Sequence, residues 1–168
     1  KLYDFVKEEY PDVKSDMSTV CMRKTISMCN EHGYMAMINI PVWMFISSYG
    51  KLRTEIITRN SLVQMLHFGR GVFGSDFGTT AFVIGKRFPN YCGTYRKLFM
   101  KQGAVDSVET KELWFHEGKG AFSAKQSSYL RIPGNPIAYW VSERFISNFA
   151  ERLVQDTHFS GGRNKTHG

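Results

Sequence analysis

The stretch Leu62-Val-Gln-Met-Leu-His-Phe-Gly-Arg-Gly-Val-Phe-Gly-Ser-Asp-Phe-Gly-Thr-Thr-Ala-Phe-Val-Ile-Gly85 decides the fold. Its two ends, Leu62 to Phe68 and Thr79 to Gly85, are rich in β-branched, aromatic and aliphatic residues and read as strands. The ten residues between them, 69–78, carry no helical periodicity. A parallel crossover needs a dozen or more residues and usually a helix, so these two strands are expected to be antiparallel neighbours.

Upstream, Tyr34-Met-Ala-Met-Ile-Asn-Ile40 is a mostly apolar run closed by Pro41. It reads as a strand buried on both faces, hence parallel and central. A helix is expected before it, from an N-cap at Asp16 to about His32, with Gly33 in the left-handed position that stops it. Met17, Val20, Cys21, Met22, Ile26, Met28 and Cys29 give that helix a wide apolar stripe suited to a sheet. Leu2 to Tyr10 reads as a further helix, stopped by Pro11. After Pro41, Ser47 and Ser48 are placed to cap a helix from Tyr49 to Arg59, on which Lys51, Arg53 and Arg59 are expected to form a solvated face. Helix, strand, helix, strand, loop, strand is the order of an α/β fold.

Beyond Arg87 the texture changes. Phe88-Pro-Asn-Tyr-Cys-Gly93 is a turn, Thr94 to Phe99 a strand, and Asp106-Ser-Val-Glu109 opens a short helix ending near Phe115. Glu117 to Ser128 reads as loop, and Ile132-Pro-Gly-Asn-Pro136 as a rigid turn. A last helix is expected over 142–154, with Phe145, Phe149 and Leu153 on one face. The tail that follows is basic and glycine-rich. A domain boundary is expected near residues 87–93, dividing the chain into 1–88 and 89–168.

The 168 residues hold 22 Lys and Arg against 15 Asp and Glu, a formal charge of +7. With 42% hydrophobic and 14% aromatic residues the chain is too apolar for a disordered basic tail. No run of about 18 apolar residues occurs, so no membrane span is expected. The positive balance suggests an anionic partner, nucleic acid first. Three cysteines, an odd and sparse set, fit a reducing, cytoplasmic setting. The five histidines show no metal-ligand spacing, and no metal is expected. The chain starts at Lys1 inside what reads as a helix, so it is expected to be a piece of a longer protein.

Gly69-Arg-Gly71-Val-Phe-Gly74 matches G-x-G-x-x-G after a strand. A dinucleotide turn would need a helix next, whose N-terminal amides hold the pyrophosphate, and an acidic residue about 20 positions on. A strand follows instead, and Pro89 to Lys97 holds no Asp or Glu. The better reading is a flexible loop whose glycines let backbone approach a ligand. Phe73 and Phe77 in that loop either fold back onto the core or form a stacking platform for a nucleobase, with Arg70 nearby for phosphate. Pro41-Val-Trp-Met-Phe45 follows the carboxyl end of a strand, where open α/β sheets bind ligands. Trp43 and Phe45 can equally be core. No Ser/His/Asp or Cys/His set, phosphate-binding P-loop or isolated carboxylate pair stands out.

One series of segments carries a resemblance: Lys14-Ser-Asp-Met17, Asn30-Glu-His-Gly-Tyr-Met-Ala-Met-Ile38, Trp43-Met-Phe-Ile-Ser-Ser48, Lys51-Leu-Arg53, Leu66-His-Phe-Gly-Arg-Gly-Val-Phe-Gly74, Phe82-Val-Ile-Gly-Lys86 and Ile132-Pro-Gly-Asn-Pro-Ile-Ala-Tyr-Trp140. Together they resemble the gamma-type adenine-specific (N6) DNA methyltransferases, in particular those of phage-exclusion (BREX) systems and fused restriction–modification enzymes. The resemblance implies the C-terminal half of a Rossmann-like methyltransferase fold with an antiparallel last strand, followed by a small α+β extension and the start of a target-recognition region. It implies a parent enzyme that moves methyl from S-adenosylmethionine to a flipped adenine in double-stranded DNA. The family's cofactor motif and its Asn/Asp-Pro-Pro-Tyr/Phe motif are absent here; Asn135-Pro136 is followed by Ile-Ala. Both are expected upstream of Lys1, which leaves no catalytic residue in this segment. Phe73 matches the family's base-stacking aromatic, with Phe77 as the alternate, and Arg70, Lys86 and Arg163 are candidates for phosphate contacts. The competing reading is a non-catalytic DNA-binding or assembly module, and a weaker one an RNA methyltransferase remnant. A sheet cut through its middle would expose a strand edge and favour oligomers.

Overall fold

In the computed structural model, residues 1–74, 77–87 and 90–150 are described, the side chain of Ala150 excepted. Ten elements follow in order: α1 (Leu2–Glu9), α2 (Met17–Met28), β1 (Tyr34–Asn39), α3 (Gly50–Arg59), β2 (Asn60–Gly69), β3 (Thr79–Lys86), β4 (Cys92–Lys97), α4 (Val108–His116), β5 (Ala121–Lys125) and α5 (Glu143–Ser147). Short 3-10 turns occupy Pro41–Met44, Ser47–Tyr49, Gln126–Arg131 and Asn148–Ala150. No helix among the described residues is long and apolar enough to cross a membrane.

The five strands form one sheet in the order β1-β3-β2-β4-β5. β3 returns directly from β2 through the 70–78 loop and lies between β1 and β2, antiparallel to both. β4 adds parallel to β2, and β5 antiparallel to β4. β1, β2 and β4 therefore point the same way, and their carboxyl ends meet along one rim: Asn39 is opposite Thr80, Gly69 opposite Thr79, and His67 opposite Lys97.

The antiparallel pairing of β2 and β3 follows the sequence expectation; the position of β1 does not. Among the described residues β1 is an edge strand, and its neighbour β3 is antiparallel. One face packs inward through Met35 and Asn39, while Tyr34 and Ile38 face out and are more than half exposed. A continuous apolar run specifies that both faces avoid water. It does not specify strand order, and insertion of β3 took the place next to β1.

The main core lies on one face of the sheet. Val20, Met22 and Ile26 of α2 and Leu52, Ile56 and Ile57 of α3 meet Met35, Leu62, Met65, Phe82 and Ile84. The expected stripe of α2 is narrower in the fold, since Met17 and Met28 are exposed. α4 lies on the opposite face, over Leu66 and Phe68. The sheet and the core both run across residue 88, because β4 pairs with β2 and Tyr95, Tyr129, Ile137 and Tyr139 join the same cluster.

Four local corrections have simple causes. His32, not Gly33, takes the left-handed conformation after α2, with φ 60°. Gly33 is needed for space, since a Cβ there would lie 2.9 Å from the Asn30 carbonyl oxygen. Asp16 caps α2 as expected, accepting from the Ser18 amide at 2.7 Å. Ser47 and Ser48, however, form a 3-10 turn and give α3 no side-chain cap, and Ser107 rather than Asp106 caps α4, accepting from the Thr110 amide at 3.2 Å. Residues 121–125, expected as loop, form the edge strand β5. α5 ends at Ser147, followed by a 3-10 turn to Ala150, and Leu153 lies outside the described residues.

Gln126 locks the joint between these parts. Its buried amide donates to the Ile57 and Asn60 carbonyls at 2.6 and 2.7 Å and accepts from the Leu62 amide at 3.2 Å. It thereby closes the C-terminus of α3 and satisfies β2 beside the register shift at Leu62–Gln64.

Candidate nucleic-acid interface

The rim where the parallel strands end is built by four chain segments. After β1, Pro41 turns the chain into the Pro41–Met44 3-10 turn, which buries Trp43 completely and leaves Phe45 40% exposed. The two aromatics singled out together thus divide, one into the core and one onto the rim. Asn39, the last residue of β1, accepts from the Trp43 indole N–H and the Thr80 hydroxyl, each at 3.1 Å.

The loop after β2 is pinned at both ends by glycines. A Cβ on Gly69 would strike the Phe99 ring at 2.8 Å, and one on Gly78 would meet Pro41 at 3.2 Å. Between them Gly71, Phe73 and Gly74 all have positive φ, 87°, 59° and 65°. For a bulky residue such as Phe73 this conformation is strained by about 1–3 kcal/mol. The strained side chain is also 72% exposed, and Phe77 is 73% exposed. Neither folds onto the core. Arg70 turns away from the loop tip, and its guanidinium donates to the Gly103 carbonyl at 2.8 Å, tying the loop to the segment after β4. Lys86 sits at the far end of β3, opposite Asn60, with its ammonium 2.5 Å from the Cys29 carbonyl. Arg70, Phe73 and Phe77 thus share the segment between β2 and β3, while Lys86 stands at the other end of β3, opposite Asn60. Arg163 lies outside the described residues.

Sequence reading missed the fixed half of this rim. His67, near the end of β2, is buried between Phe45, at 6.5 Å, and Phe99, at 4.8 Å between ring centroids. Its Nδ1 and the Tyr139 hydroxyl share a hydrogen bond of 3.1 Å. Burial, with a smaller contribution from the charge of Lys97, holds its pKa down at about 4, so the ring is neutral at pH 7. Trp140, 39% exposed, meets Phe45 at 5.7 Å, and the Lys97 ammonium lies 4.8 Å from the Phe99 ring and 5.8 Å from the Trp140 ring.

Arg53 holds this half in place. It was expected on a solvated face but is 1% exposed. Its guanidinium donates to the Trp43 and Ile46 carbonyls at 2.9 and 2.6 Å and to the Gly134 and Asn135 carbonyls at 2.7–3.1 Å. One buried cation thus joins the turn that carries Phe45 to the turn that leads to Trp140, and the Ile137 amide reinforces the joint by donating to the Met44 carbonyl at 3.0 Å. Its neighbours Lys51 and Arg59 are exposed as expected.

Among the described residues no group of three His, Cys, Asp or Glu could hold a metal ion, and Cys21, Cys29 and Cys92 are unpaired. The glycine turn at Gly69–Gly74 leads into β3 and not into a helix, so it offers no row of helix amides to a cofactor's charged groups.

No family model matches the chain. It is 35% identical over 153 residues to "Adenine-specific methyltransferase BrxX" of Escherichia coli O9:H4 (strain HS), covering 88% of this chain and 12% of that protein. It is 34% identical over 155 residues to "Adenine-specific methyltransferase PglX" of Lacticaseibacillus casei (strain Zhang), covering 85% of this chain and 12% of that protein. The chain thus spans about an eighth of the length of these relatives. Among solved structures, the methyltransferase subunit of a type I restriction-modification system from Streptococcus thermophilus superposes with a TM-score of 0.50 at 13% identity, over 73% of this chain and 29% of that one. That likeness supports the α/β fold.

Proposed function

Because the chain is homologous over most of its length to one segment of the BrxX and PglX adenine-specific methyltransferases, we propose that it is the corresponding segment of a DNA adenine-N6 methyltransferase of a restriction or phage-defence system. The parent enzyme would transfer methyl from S-adenosylmethionine to an adenine flipped out of double-stranded DNA in the cytoplasm. Residues 1–88 would supply the second half of the catalytic domain, and residues 89–168, whose β4 and β5 continue the same sheet, would lead from it into the target-recognition region. The glycine turn at Gly69–Gly74 leads into β3, so it is assigned no part in holding the cofactor.

The observation that carries this reading is Phe73, a strained and solvent-facing aromatic at the rim where α/β sheets bind ligands. Adenine N6 cannot be reached inside a duplex, and stacking on an aromatic offsets part of the lost base stacking, about 1–3 kcal/mol per base. Phe73 is assigned that contact, with Phe77 as the alternate. The position of Arg70 suits it to shaping the loop, a phosphate contact by Lys86 would lie away from this rim, and Arg163 remains a candidate for phosphate. The outer side of β1, an edge strand among the described residues, is where another strand, from a second copy or from the rest of the protein, would extend the sheet.

The test is methylation of DNA by the full-length protein carrying Phe73→Ala. Turnover is expected to fall about 5- to 150-fold with cofactor affinity unchanged, the range of one base–aromatic stack. Unchanged turnover would remove the stacking role.

A further inference from the structure

We propose that the Phe45–Trp140 pair, with the Lys97 ammonium beside it, is a second nucleotide site on the rim, which takes an unstacked base other than the target adenine against the two rings and its phosphate at Lys97. The inference rests on the methyltransferase reading above and adds to it a binding site that the stacking role of Phe73 does not use.

Three observations carry it. First, the Phe45 and Trp140 rings are tilted at 57° with centroids 5.7 Å apart, yet each keeps about two-fifths of its surface in water. Their position is fixed by Arg53 rather than by burial of the rings themselves. Second, the Lys97 ammonium hangs over Phe99 and Trp140 and meets no carboxylate among the described residues. A cation beside an open aromatic is the pairing that single-stranded nucleic-acid sites use, stacking for the base and charge for the backbone. Third, the turns that carry the two rings are joined by the Arg53 guanidinium and by the Ile137 amide on the Met44 carbonyl, so the pair is held ready without a ligand. A base leaving the duplex at one position unpairs its partner and loosens the steps beside it, so a second unstacked nucleotide is available near the first.

The experiment is photocrosslinking of the full-length protein to duplex DNA substituted with 5-iododeoxyuridine, followed by mass-spectrometric mapping of the crosslinked peptides. The proposal expects crosslinks at Trp140 or Phe45 in addition to crosslinks in the 70–78 loop. It further expects that Lys97→Gln weakens DNA binding about tenfold at low salt and lessens its salt dependence by about one phosphate contact, and that Trp140→Phe retains the crosslink at this site. Crosslinks confined to the 70–78 loop would overturn the second site and leave the methyltransferase reading standing. Crosslinks at neither place would overturn both.

Discussion

Protonating His67 is expected to remove about 3 kcal/mol of stability between pH 7 and pH 4. The ring is buried between Phe45 and Phe99, with Tyr139 on Nδ1 and the Lys97 ammonium nearby. Burial first, and the Lys97 charge second, lower its pKa from 6.5 to about 4. The unfolded chain therefore binds a proton near pH 6.5 that the folded chain refuses until about pH 4. With the folded value the lower one, stability is fully present above pH 6.5 and declines as pH falls through the window down to about 4. A gap of roughly 2.5 units at about 1.36 kcal/mol each gives an upper value near 3 kcal/mol. Urea unfolding of the wild-type protein and of His67→Gln at pH 7 and pH 4 reads the effect. The wild type should lose about 3 kcal/mol more than the variant across that interval, and the His67 ring resonances should still be those of neutral imidazole at pH 5.5. Parallel pH slopes for the two proteins, or a ring that titrates near 6.5, would refute the reasoning.

Arg53→Met is expected to cost about 3–5 kcal/mol in thermal or urea unfolding, because it removes a buried cation and the partner of four carbonyls, that of Trp43 buried and the others partly so. Arg53→Lys should rescue little of it, since one ammonium cannot span both turns. Gly120→Ala combines a φ of 65° with a Cβ that would fall on the Lys97 carbonyl oxygen; a loss of at least ~2 kcal/mol is expected, with the β4–β5 amides first to exchange in hydrogen-exchange measurements. Gln126→Ala should cost about 3 kcal/mol through its three hydrogen bonds, read by the same unfolding assay.

The antiparallel step from β2 to β3 was legible because a missing helix is a strong local signal: ten residues rich in glycine cannot make a crossover. The edge placement of β1 was not, since strand order is decided by which partner arrives and a two-sided apolar run fits several places. β5 is not legible because Ala-Phe-Ser-Ala-Lys has one strand former in five and stands between Gly118-Lys-Gly120 and Gln126-Ser-Ser128; its pairing with β4 supplies what propensity does not. Arg53 looked like its neighbours Lys51 and Arg59. Nothing in a helix of that composition says which cation will find carbonyls from turns 7 to 82 residues away. The loop half of the rim, Phe73 and Phe77 among glycines, is visible in the sequence because it is contiguous there. The fixed half, Phe45, His67, Lys97 and Trp140, is assembled from four separate segments, and only Phe45 had drawn attention.

The insertion of β3 explains why the rim can hold aromatics at all. In an all-parallel sheet the chain leaving β2 must run back through a crossover helix, and the first turn of that helix would occupy the rim with amides suited to a phosphate. A direct antiparallel return needs no helix. It frees residues 70–78 to project from the carboxyl ends, while Gly69 against Phe99 and Gly78 against Pro41 hold the loop's two feet on the same rim. The feet are close approaches that a Cβ on either glycine would disturb. Phe73 stands between them in a conformation that no helix or strand would impose on it. The same directness leaves β2 free on its other side to pair in parallel with β4, which delivers Lys97 and Phe99 beside His67. An aromatic loop on one side and a fixed aromatic–cation cluster on the other are thus two consequences of a single change in strand direction.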